Sequence, residues 1–278
     1  MDFSSVPTIF HITHWKAGSQ WVNNVLKEYC EKSGVERFVK PKIRARHIFD
    51  APIQSGMIYP KVYLPKHGFD AYLSFNIFSL KDYAYLKKNP TSGKALVENW
   101  INFRMKKNRI IKFIIFRDLR DSLVSWYFSM KNSHRSIDPV IEKYREELRG
   151  LSIEQGLIYL LENGFQAFAN IQSSWCVEED ALWIRYEDLL EDERIGFKKI
   201  FSHCELEVDD KYFDEVISNN SFEIRSGRPR GKEDQTQHLR KGQAGDWRNY
   251  FSNEISNHFK TRFGQVLIDT GYESDDDW

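Results

Sequence analysis

The sequence predicts an α/β fold with a central parallel sheet flanked by helices, organised as a single domain over residues 1–278. Two observations carry that expectation. Two apolar, β-rich runs, "TIFHI" at Thr8–Ile12 and "RIIKFIIF" at Arg109–Phe116, each pass through a polar turn into apolar residues at helical spacing, the pattern of a strand feeding a helix. The chain also has no internal repeat and no Pro- and Gly-rich linker, and 278 residues suffice to bury one large core.

Taken in order, "TIFHI" is the first strand, and Trp21, Val22, Val25, Leu26 and Tyr29 share one face of the helix after it. A weaker strand, "KVYLP", lies at Lys61–Pro65. The segment "HGFDAYLSFNIFSLKDYAY" reads as a loop. After "RIIKFIIF", Leu123, Val124, Tyr127 and Phe128 again fall on one helical face. Helical spacing continues through "DPVIEKYREELRG" and "SIEQGLIYLLENGFQAFANIQSSW". A third short strand, "ALWIRY" at Ala181–Tyr186, precedes the helical "EDLLEDERIGFKKIFSHC". The basic "RSGRPRGKEDQTQ" reads as a mobile loop and the tail "SDDDW" as frayed. Parallel sheets bind ligands beyond the carboxyl ends of their strands, which predicts Lys16, Arg117 and Tyr186 on one rim.

Composition narrows the function classes. Lys plus Arg and Asp plus Glu balance at 40 each, so no global field points to a nucleic-acid partner and any anion site must be local. The three cysteines, Cys30, Cys176 and Cys204, have neither a close pair nor metal-ligand spacing, which suits a reducing compartment and argues against a zinc site. The start "MDFSSVPTIFHITHW" has no basic leader and no apolar run of membrane-spanning length, so the expectation is a cytoplasmic protein without a transmembrane segment.

Three turns are suited to anions. In "HWKAGSQW" a helix starting near Ser19 or Gln20 aims free backbone N–H groups into the turn, Gly18 admits close approach, and Lys16 adds charge. It is not the nucleoside-triphosphate P-loop, because the lysine precedes the only glycine by two positions. The competing reading is an ordinary turn with a surface lysine. In "FRDLRDSLVSWYFS", Arg117 ends a buried strand and Ser125 lies on the following helix, where a guanidinium fork and a hydroxyl can hold a second phosphate. The competing reading is a helix-capping ion pair of Arg117 or Arg120 with Asp121, favoured for Arg120. In "LRKGQAGDWRNYF", Arg240 and Lys241 flank Gly242, followed by a helix opened by Asp246 and carrying Trp247, Tyr250 and Phe251. Its competing reading is a solvated loop.

Together these segments resemble the sulfotransferases that use 3′-phosphoadenosine 5′-phosphosulfate (PAPS). "HWKAGSQW" is similar to the family's 5′-phosphosulfate loop, "FRDLRDSLVSWYFS" to its 3′-phosphate strand and helix, "RYEDLLED" to the segment near the adenine, and "RKGQAGDWRNYF" to its C-terminal phosphate loop. The resemblance implies a P-loop-like nucleotide-binding fold and transfer of a sulfuryl group from PAPS to an acceptor hydroxyl on a small molecule, lipid or glycan, with no metal. It implies that Lys16, Gly18, Ser19 and Gln20 hold the 5′-phosphosulfate and that Trp21 stacks on the adenine. It assigns Arg117, Ser125, Arg240, Lys241 and Gly242 to the 3′-phosphate, with Tyr186, Ser221 and Phe222 completing the pocket. Read alone, a tryptophan at position 21 suits a helix core as well as a stacking platform.

A base must take the acceptor's proton. Many relatives place a histidine just after a short strand, in a Lys-Thr-His context. Here "VYLPKHGF" makes His67 the nearest histidine, with His14, His47 and a carboxylate as rivals. The first turn also departs from the family's usual Pro, Ser and Thr at Trp15, Ala17 and Gln20. Two other classes stay open at this point: a kinase-like nucleotide enzyme, which needs a lysine after the glycine and magnesium carboxylates, and a noncatalytic nucleotide-binding relative.

Overall fold

The computed structural model describes residues 6–40, 53–74, 109–133 and 139–278. Within them the sheet has four strands, β1 (Thr8–Thr13), β2 (Ile58–Val62), β3 (Ile110–Phe116) and β4 (Ala181–Arg185), in the order β2-β1-β3-β4. Every neighbouring pair is parallel. The order reverses between β1 and β3. Their loops therefore leave in opposite directions at the carboxyl edge and open a crevice there. Thr13 pairs with Ile115, and Phe116 with Arg185, so the chain leaves all three strands at nearly one level.

Strand alternation divides the core. Ile9, Phe113 and Ile115 face one side, against α1 (Ser19–Lys32), α8 (Glu193–His203) and α9 (Asp210–Asn219). Phe10, Ile12 and Ile114 face the other, against Phe69 on α2 (Lys66–Ser74) and Ile171 and Trp175 on α6 (Gln166–Trp175). A third apolar cluster joins α3 (Leu119–Phe128) and α5 (Ile153–Glu162) to α11 (Asn253–Asp269) through Leu123, Leu160, Phe259 and Phe263. The shorter α4 (Pro139–Glu147), α7 (Tyr186–Glu191) and α10 (Phe222–Ser226) lie at the surface or the rim of the crevice.

Several sequence expectations shift. The strand read at residues 61–65 occupies Ile58–Val62, and Tyr63 already lies beyond it. Residues 67–74 of the expected loop fall in α2 (Lys66–Ser74); the rest of that loop lies outside the described residues. The helical stretch at 152–175 is two helices, separated by residues 163–165. Asp246 starts a single 3-10 turn, Asp246–Asn249, and the helix behind it begins only at Asn253, so Tyr250 and Phe251 belong to the intervening segment.

The tail is docked, and the reason is one buried cation. Arg120 is 2% exposed; its guanidinium lies 4.0 Å from the Trp247 ring and 4.3 Å from the Trp278 ring. It pairs with Asp118 at 2.8 Å and Glu273 at 2.5 Å. A desolvated guanidinium held by two carboxylates and two indole faces fixes the last residues against α3.

Removing that cation leaves two carboxylates without their partner in a desolvated site. Arg120→Ala is expected to lower stability by about 3 to 5 kcal/mol in urea denaturation. A loss below about 1 kcal/mol would show that the cluster behaves as an exposed pair.

Candidate functional site

The three turns converge on one cleft of about 520 Å³ at the carboxyl edge of the sheet. Of the fourteen site residues expected from sequence, all but His67 and Ser221 line it.

The first turn reverses through two left-handed residues. Lys16 has φ +69° and Gly18 φ +78°. Gly18 precedes α1 with no side-chain cap, so the helix's first N–H groups carry no capping acceptor. A Cβ on Gly18 would lie 2.8 and 2.9 Å from two Tyr186 ring carbons. The Lys16 ammonium, half-buried in the cleft, is pushed down to about 7 by burial and by Arg117 and Arg240 beside it. An anion there would restore the charged form. Gln20 is exposed and accepts a hydrogen bond from Lys61 at 2.6 Å. Trp21 packs edge-on to Tyr186 and Phe197.

The second turn is tied to the other two by Arg117. Its guanidinium donates to the Lys16 carbonyl at 3.3 Å, to Asp121 at 3.2 Å and to the Gln243 carbonyl at 3.2 Å, and lies 4.6 Å from the Tyr186 ring. Asp121 in turn accepts backbone N–H groups from Gly245 at 2.8 Å and Trp247 at 2.9 Å. The Arg117–Asp121 pair is thus present, whereas Arg120 pairs with Asp118 instead. Asp118 also caps α3, accepting from the Arg120 N–H at 2.8 Å.

The third turn brings Arg240 over the Phe128 ring at 4.7 Å. Arg240 pairs with Glu233 and Asp246, and Lys241 with Asp246 at 2.5 Å. Gly242 has φ +63°, and a Cβ there would lie 2.5 Å from Phe222. Ser221 is the cap of α10, its hydroxyl accepting from the Ile224 N–H at 3.4 Å.

The candidate bases separate clearly. His67 is exposed on the first turn of α2, outside the cleft lining. His14 is buried, with Nδ1 at 2.8 Å from the Trp15 carbonyl and Nε2 accepting the Arg117 N–H at 3.2 Å. Burial pushes it down to about 4, so it is a neutral strut between two turns. His47 lies outside the described residues.

Several polar residues of the cleft carry no expectation from the sequence, Ser129 and Tyr63 among them. Ser129 lies one turn beyond Ser125, and its buried hydroxyl has no partner among the described residues. The four-residue spacing in "SWYFS" was its signal. Tyr63 was hidden in a presumed strand; its hydroxyl lies 2.6 Å from Ser19 Oγ and its ring stacks on Trp15. The buried Arg117 Nε and Trp21 Nε1 also lack partners among the described residues.

Comparison with known proteins gives a consistent result. Residues 7–271 match the model of the sulfotransferase domain. Mouse Sulfotransferase 1B1 is 22% identical, the alignment covering 98% of this chain and 87% of that protein. Human Sulfotransferase 1C2 is 23% identical, with 86% and 76% covered. Among solved structures, mouse sulfotransferase SULT7A1 complexed with PAP has a TM-score of 0.53 at 15% identity, covering 98% of this chain and 92% of that one.

The closeness of Gly18 to Tyr186 sets a local test. Gly18→Ala combines a left-handed backbone, a cost of about 1 to 2 kcal/mol, with a ring collision, and is expected to lower stability by at least that amount in chemical denaturation. A neutral effect would show that Tyr186 does not lie against the turn.

Proposed function

This chain belongs to the sulfotransferase domain family, and on that premise we propose that it transfers a sulfuryl group from PAPS to the hydroxyl of an acceptor. The observation that carries the reading is the convergence of three anion-suited turns on one cleft. The residues fit the nucleotide: the first N–H groups of α1 have no side-chain cap, and Arg117 Nε and Trp21 Nε1 are buried without partners among the described residues. Lys16, Gly18, Ser19 and Gln20 would hold the 5′-phosphosulfate, and Trp21 with Tyr186 and Phe222 the adenine end. Arg117, Ser125, Arg240, Lys241 and Gly242 would hold the 3′-phosphate, with Ser129 added to them. Ser221 supports this wall as a helix cap.

PAPS supplies the sulfuryl group and an anionic leaving group. Lys16 and the uncapped N-terminus of α1 stand where negative charge on that leaving group is stabilised. The stacked Trp15 and Tyr63 rings, 5.1 Å apart, border the cleft beside Lys16 and favour a flat, partly apolar acceptor. His67 receives no role in proton transfer, since it is exposed outside the cleft lining. Among the described residues no helix is long and apolar enough to cross a membrane. We place the enzyme in the cytoplasm on its cysteine usage, Cys30 and Cys204 being buried free thiols.

Thermal melting tests the reading. At 100 times its dissociation constant, 3′-phosphoadenosine 5′-phosphate (PAP) should stabilise the fold by about 2.7 kcal/mol. AMP, which lacks the 3′-phosphate, should do far less at the same concentration, and Arg117→Ala should erase most of the difference. Stabilisation by ATP with magnesium but not by PAP would point to a kinase-like enzyme instead.

A further inference from the structure

Sulfuryl transfer to a hydroxyl releases one proton, which a group in the cleft must accept. Of the histidines singled out from sequence, the two among the described residues do not stand ready for it. His14 has both ring nitrogens occupied, and His67 is exposed outside the cleft lining. His238 lines the cleft from the third turn, next in sequence to Leu239 and Arg240.

Beside Lys16 the cleft holds a pair of hydroxyls instead. Tyr63 directly follows β2, and its ring lies parallel to Trp15, with centroids 5.1 Å apart and planes 3° apart. Both rings line the cleft. Tyr63 Oη is 2.6 Å from Oγ of Ser19, the buried first residue of α1. Ser19 therefore links the phenol to the helix terminus where the anion turn begins. Burial pushes the Tyr63 phenol up to about 12, which keeps it neutral at ordinary pH. A neutral phenol is a poor terminal base. A hydroxyl is, however, one donor and two acceptor sites, so a pair of them can pass a proton along without either becoming charged.

Resting on the sulfotransferase reading, the geometry points to a proton relay from the acceptor through Tyr63 and Ser19 to the departing phosphate. The acceptor oxygen bonds to sulfur as the bond from sulfur to the 5′-phosphate oxygen breaks. The acceptor's proton moves to Tyr63 Oη, the phenol's proton to Ser19 Oγ, and the serine's proton to the released phosphate oxygen. Both side chains end neutral. The products are the sulfated acceptor and PAP carrying the proton, so atoms and charge balance with no imidazole involved. Lys16 stabilises the leaving group before the proton arrives, which gives the lysine and the relay separate roles.

The variants Tyr63→Phe, Ser19→Ala, their double and His238→Asn separate the possibilities, using simple phenols as acceptors at saturating PAPS, with calorimetric PAP affinity measured on each protein. Tyr63→Phe keeps the ring and its stack, so PAP affinity should stay within about twofold while turnover falls by about 100-fold or more. The double variant should be no slower than the slower single, because the two hydroxyls act as one unit. Wild-type turnover should show a solvent isotope effect with a curved proton inventory, reporting several protons in flight. Full turnover in Tyr63→Phe, or additive losses in the double, would overturn the relay. Loss of activity in His238→Asn with Tyr63→Phe unaffected would transfer the base role to that imidazole. A wild-type protein that binds no PAP and transfers nothing would overturn the sulfotransferase reading and the relay with it, an outcome distinct from transfer that ignores Tyr63.

Discussion

The site depends on the buried pair of Arg117 and Asp121. Arg117 stands at the end of β3, where the strand order reverses, and its side chain is 9% exposed against 1% for Asp121. Such a pair is costly to desolvate, and hydrogen bonds to its other donors and acceptors offset part of that cost. Here the surplus hydrogen bonds run outward to the Lys16 and Gln243 carbonyls and inward from the Gly245 and Trp247 N–H groups. The same contacts that offset desolvation fix the three turns relative to one another. His14 adds a neutral strut between the first two. Three turns far apart in sequence thereby line one cleft.

Crowding of cations is the consequence. Arg240 and Lys241 share Asp246, which is 3% exposed and held below the ordinary carboxylate range by those two cations despite its burial. Lys16 is different. Its main charged neighbours are Arg117 and Arg240, and burial together with that repulsion favours its neutral form. A dianion entering the cleft therefore does more than pair with the lysine; it relieves a repulsion that the fold itself creates.

What the sequence made legible was local. The strands β1, β3 and β4, the turns after them and the first turns of α1 and α3 are short-range patterns, and each lies within a residue or so of its expected place. What it concealed was set by distant partners. Asp246 reads as a helix opener, yet it accepts from Arg240 and Lys241 and the chain takes only a 3-10 turn. The tail reads as frayed because nothing near it in sequence signals that Trp278 covers Arg120. His67 was the nearest histidine to the strand, but β2 ends at Val62, so the next residue, Tyr63, enters the cleft and His67 is carried onto α2.

Lys16 waits partly uncharged for an anion, and proton uptake on nucleotide binding reads that state. With Lys16 near 7 in the free protein, PAP binding at pH 8 should draw in close to one proton per nucleotide, seen by calorimetry as a binding enthalpy that varies with the ionisation enthalpy of the buffer. Uptake should vanish toward pH 6, where the lysine is already charged. Lys16→Met should abolish most of it, which separates Lys16 from Lys61, itself pushed down to about 8 by burial. Binding at pH 8 with no uptake, or with uptake unchanged in Lys16→Met, would show that Lys16 is already charged in the free protein.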